Sequence, residues 1–90
     1  MARRIVRGSK FRVGQRVIVD GDYNGDYFGR VIKTHVRLVK SNSIHDESPT
    51  TAPGVTVLVD RWEGVDYRGQ YPGFESFEII AHDAETRRAN

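Results

Sequence analysis

The ninety-residue chain contains no cysteine. That excludes disulfides, thiolate metal sites and thiol catalysis, and it suits a reducing, cytoplasmic compartment. Its three prolines, Pro49, Pro53 and Pro72, fall in stretches that read as loops. No apolar run approaches the ~18–20 residues of a membrane-spanning helix. Met1-Ala2-Arg3-Arg4 is charged and no hydrophobic stretch follows it, so the start does not read as a secretory signal.

Catalytic signatures are missing as well. There is no Gly-Lys-Ser/Thr phosphate loop, no His-Glu-x-x-His helix and no nucleophile elbow. Asp20 and Asp22 stand in a turn, where solvated acids are expected rather than tuned ones. His35, His45 and His82 are too scattered for a local metal-ligand spacing. The sequence therefore predicts no catalytic residue, no cofactor, no metal and no small-molecule substrate; the chain does not read as an enzyme.

What is present is an ordinary soluble composition, 38% hydrophobic and 29% charged, with a net charge of only +2. The sign of that charge changes along the chain. Residues 1–19 hold Arg3, Arg4, Arg7, Lys10, Arg12 and Arg16 and no acid. Residues 20–28 carry three aspartates, and residues 29–40 carry Arg30, Lys33, Arg37 and Lys40. The last third is acidic, with seven acids against four bases over residues 60–90. A basic head and a basic central segment attract phosphate by displacing condensed counterions. Eleven of the fourteen bases are arginine, which suits two-point phosphate contacts.

Residues 15–20 alternate around Val17 and Val19, which predicts a strand ending in the turn-rich Asp20-Gly21-Asp22-Tyr23-Asn24-Gly25-Asp26. Residues 27–40 are β-branched and apolar on both faces, which predicts a strand bent or bulged around Lys33-Thr34. Residues 41–54 read as a loop, residues 55–60 as a strand, residues 63–73 as a second loop and residues 75–80 as a last short strand. Residues 81–90 read as a frayed tail or one or two helical turns. The whole predicts an all-β fold, a small five-stranded barrel over residues 11–80, with a mobile basic arm at 1–10 and a short tail at 81–90.

Gly14-Gln15-Arg16-Val17-Ile18-Val19, nine residues of turn, then Gly29-Arg30-Val31 resembles the KOW motif and the SH3-like (Tudor-like) barrels around it. Gly21 and Gly25 stand one residue earlier than that pattern has them, and the resemblance covers about a fifth of the chain. It implies a barrel of about five strands used as a binding module. KOW domains contact RNA or protein, and Tudor-like relatives hold methylated Lys or Arg in an aromatic cage; neither is catalytic through this domain.

Two partner classes follow. For nucleic acid, RNA or a ribonucleoprotein surface, Arg3, Arg4, Arg7, Lys10 and Arg12 would hold phosphates, helped by Arg30, Lys33 and Arg37 if the bend reunites them. Strict alternation divides Arg30 and Lys40 from Lys33 and Arg37, and a solvated strand surface is the competing reading. Tyr67, Arg68 and Tyr71 would stack or hydrogen-bond. For a protein partner, as in a phage-encoded adaptor, inhibitor or virion component, exposed tyrosines and strand edges would serve. Aromatics flanking the two glycine-rich loops are expected to converge at one end, with Phe28, Trp62, Phe74 and Phe77 as core plugs.

Overall fold

A computed structural model describes residues 8–21, 25–41, 49–63 and 76–89. Its elements are β1 (Arg16–Val19), β2 (Tyr27–Lys40), β3 (Thr50–Trp62), β4 (Phe77–His82), a 3₁₀ turn (Asp83–Glu85) and β5 (Thr86–Arg88). The strands are antiparallel neighbours in one sheet, in the order β4-β3-β2-β1-β5. The protein is all-β. Among the described residues no helix is long and apolar enough to cross a membrane.

β1 forms because Val17 and Val19 alternate inward while Arg16 points to solvent. Gly14 precedes it at φ +92°, a left-handed turn conformation that glycine adopts without strain. The turn closes through the Gln15 amide on the Arg12 carbonyl, and the Gly14 amide then reaches Val31. On β2, Val31 faces the same core as Val55, Val57 and Val59 of β3 and Ala81 of β4. Five valines are fully buried, each worth about 2 kcal/mol in apolar area removed from water. Phe11 seals this cluster, with Tyr27 and Ile79 packed at its margin.

The core thus differs from the expected aromatic plugs. Phe28 and Trp62 are half-buried, Phe77 is exposed, and Phe74 lies outside the described residues. Closely paired strands leave room between their inner faces for β-branched side chains, and valines at every second position of β3 fill it.

β2 carries the expected bend as two register shifts, one between Val31 and Lys33 and one between His35 and Leu38, on either side of Lys33-Thr34. The second shift also explains why β3 begins at Thr50 rather than near Val55. Pro53 has no ladder partner there, so its missing N–H costs nothing and the strand runs through it.

The end of the chain corrects the expected frayed tail. Ala81 and His82 are buried in β4, and Thr86–Arg88 pairs with β1 as a fifth strand. Glu85 organises this crossing: its carbonyl accepts from the Asp20 amide, and its carboxylate accepts from the His82 amide and the Lys40 ammonium, both at 2.9 Å. The expected barrel closure is not formed. Among the described residues no ladder joins β4 to β5, which stand at opposite ends of the sheet order.

Candidate nucleic-acid interface

Antiparallel partners point to the same face, so register decides which charges meet. Arg16 opposes Arg30 and Ile18 opposes Phe28 across β1 and β2. Val17 and Val19 face the core, so Arg16, Ile18, Phe28 and Arg30 form the opposite, outer face. On the other side of β2, Arg30 opposes Leu58 and Lys33 opposes Thr56. Leu58 and Thr56 are two residues apart on β3 and share a face. Arg30 and Lys33 therefore share it too, because Ile32 is the extra residue of the bulge. His35 joins them through a 2.8 Å hydrogen bond between its Nε2 and Thr56 Oγ1.

Around Arg30 and Lys33 stand three arginines held by acids. Arg16 grips Asp60 at two points, 2.7 and 2.9 Å. That hydrogen bonding holds the Asp60 carboxyl below its usual range against the opposing pull of partial desolvation, with the charges of Arg16 and Arg30 adding in the same direction. The same contact raises the Arg16 guanidinium above its ordinary value. Arg61 lies 4.8 Å from the centroid of the Phe28 ring and meets Glu63 at 2.9 Å. At the β5 side Arg87 meets Asp26 at 3.0 Å.

Among the described residues, Lys10, Arg12, Arg30, Lys33, Arg37 and Arg88 have no ion-pair partner. Of the bases singled out in the sequence, Arg30 and Lys33 are brought together. Arg37 is exposed in the irregular stretch between His35 and Leu38, beyond them on the same strand. Lys40 is taken up by Glu85 and the Ile80 carbonyl. Arg12 is exposed near the Gly14 turn, and Lys10 places its ammonium 5.2 Å from the Phe11 ring centroid. Arg3, Arg4, Arg7, Tyr67, Arg68 and Tyr71 lie outside the described residues.

The root of the basic arm is nevertheless placed. The Ser9 hydroxyl donates to Asp83 Oδ1 at 2.7 Å and the Lys10 amide to Asp83 Oδ2 at 2.8 Å. A Cβ built on Gly8 would meet Val36 Cγ2 at 3.4 Å. Residues 8–10 are thus fastened to the body beside Val36, the neighbour of Arg37.

Two contributors were not singled out from the sequence, the Phe28–Arg61 stack and the Arg16–Asp60 pair. Both depend on Asp60 being an extra residue opposite the Phe28–Gly29 step, which no local pattern announces. At the sheet end Tyr27 stacks on Trp62 at 5.7 Å and meets Phe77 edge-on at 6.1 Å, so strands leaving the two glycine-rich loops do bring aromatics together. Tyr23 lies outside the described residues. Among the described residues no cluster of three or more His, Asp or Glu side chains is placed to hold a metal ion. Compared with known proteins, the chain matches no family model, no curated protein and no solved structure.

Proposed function

We propose that this chain is a non-catalytic binding module for nucleic acid, RNA or a ribonucleoprotein surface. The outer face of β2 and the basic arm of Arg3, Arg4 and Arg7 make its phosphate contacts. One observation carries the reading: the bulge at Ile32 turns Arg30 and Lys33 to one face, where neither is held in an ion pair among the described residues. The arm root beside Val36 supports a continuation of that charge towards Arg37. An SH3-like architecture belongs to the same proposal. The sequential meander, the long bent β2 and the return of β5 to the free edge of β1 support it. The cytoplasm is the compartment this reading implies.

The test is binding against salt. Log K should fall linearly with log salt, and Arg30→Gln with Lys33→Gln should each lower the slope by about one. Binding that ignores salt would sink the proposal. A protein partner is the second reading, favoured by Val36 and Val39, exposed at 47% and 60% beside Arg37. Complexes that survive nuclease and moderate salt would favour it.

A further inference from the structure

We infer that the outer face takes nucleic acid as a single strand, with one base stacked on the Phe28–Arg61 pair and neighbouring phosphates on Arg30 and Lys33. This rests on the proposed function and narrows it to unpaired strands.

The geometry comes from register. Phe28 and Arg30 are two apart on β2 and oppose Ile18 and Arg16, two apart on β1, so they occupy one face. Lys33 follows on that face because of the bulge. Successive same-face positions are about 7 Å apart along a strand, comparable to the step between neighbouring phosphates of an extended single strand. The backbone positions that carry the ring, the guanidinium and the ammonium therefore follow one another along β2 at about the step of one nucleotide.

The stack supplies what phosphate contacts lack. The Arg61 guanidinium lies over the Phe28 ring, and its side chain is 65% exposed. A ring and a cation held together at an exposed position offer a surface on which a base can stack, and base stacking of this kind is tolerant of sequence. A duplex cannot use it, because its bases are stacked and paired inside and only the sugar–phosphate surface meets a flat sheet. Asp60, whose charge Arg30 feels, is occupied by Arg16 at two points, which limits its repulsion of phosphate. The exposed Leu58 beside Arg30 adds apolar surface for the sugar edge.

The test uses the full chain and fluorescence anisotropy with three probes: oligouridylate, oligothymidylate and a duplex, each of about 12 nucleotides. Both single strands should bind more tightly than the duplex; a difference between the two would show whether the ribose hydroxyl contributes. Phe28→Leu keeps an apolar side chain opposite Ile18 but removes the ring face, and should weaken single-strand binding about five- to a hundredfold. Arg61→Gln, at an exposed position where misfolding is not expected, should lose affinity in the same direction. Neither change should weaken the duplex comparably. Duplex binding as tight as single-strand binding, or single-strand binding untouched by both variants, overturns the inference and leaves the proposed function standing. No binding of any probe at about 50 mM salt overturns both.

Discussion

Arg16 and Asp60 are forty-four residues apart and meet through two parallel hydrogen bonds of 2.7 and 2.9 Å. The Asp60 carboxylate thereby occupies a position next to Arg30 that a bound phosphate would also favour, since Arg30 already adds to the stabilisation of its charge. Asp60→Asn removes one negative charge from the row and frees Arg16. The expected outcome is tighter nucleic-acid binding by a few-fold, with stability lower by about 0.5–1 kcal/mol, the range of an exposed pair. Unchanged or weaker binding would show that this row does not meet phosphate.

The same pair sets an acid dependence. The folded-state pKa of Asp60 is lowered, so its contribution is fully present above the unfolded carboxylate value, roughly pH 4. It is lost as pH falls through the depressed folded value. Melting temperature measured from neutral pH downward should therefore converge for the native chain and Asp60→Asn in acid. A gap that persists or widens there contradicts this.

Gly54 leaves room for the Leu38 side chain to lie against the β3 backbone. A Cβ at this position would meet the Ala81 carbonyl oxygen at 2.5 Å and Leu38 Cδ2 at 2.6 Å. Backbone cannot yield, so Gly54→Ala should cost about 1–3 kcal/mol in denaturant unfolding. Gly29 is under the same constraint from the Leu58 carbonyl and the Val57 side chain, and Gly29→Ala should also destabilise.

His82 is a buried polar group with a structural task. Its Nε2 donates to the Leu38 carbonyl at 2.7 Å, joining β4 to the far half of β2. His82→Ala leaves a cavity and an unpaired carbonyl, and should cost about 2–4 kcal/mol. Nucleic-acid affinity measured on the folded fraction should not change, because the ring is buried against the Leu38 carbonyl and is not presented to a ligand. A loss of affinity without loss of stability would contradict that assignment.

Asp83 ties the arm root to the body through Ser9 and Lys10. Asp83→Ala should speed hydrogen exchange at the Lys10 and Phe11 amides while leaving β3 amides protected. It should cost about 1–2 kcal/mol in stability. Equal exchange in both proteins would mean that the latch does not hold residues 8–10.

How far the fold was legible follows from where its information lies. Val17 and Val19 alternate, and Val55, Val57 and Val59 alternate, so these strands and their buried faces can be read from neighbours in the chain. The apolar character of both faces of β2 likewise announced a bend. The pairing of Thr86–Arg88 with β1 could not be read, because three polar residues carry no periodicity and their strand state comes from the free edge they meet. The aromatic residues depart from a core position for a similar reason. Phe28 looks like a core residue by composition, yet the parity of its pairing with Ile18 turns it outward under Arg61.

The candidate interface divides the same way. Alternation of side chains is a property of the backbone, so the amino-acid order alone determined β1, β2 and the Val55–Val59 half of β3, with the acid-free head and the basic content of residues 29–40. Whether those bases cooperate was decided only when the strands paired. One unpartnered residue, Ile32, shifts the parity of β2 from Lys33 to His35, up to the next register shift, and brings Lys33 to the side of Arg30. A bulge is a relation between two strands, set by packing across them, and no single segment contains it.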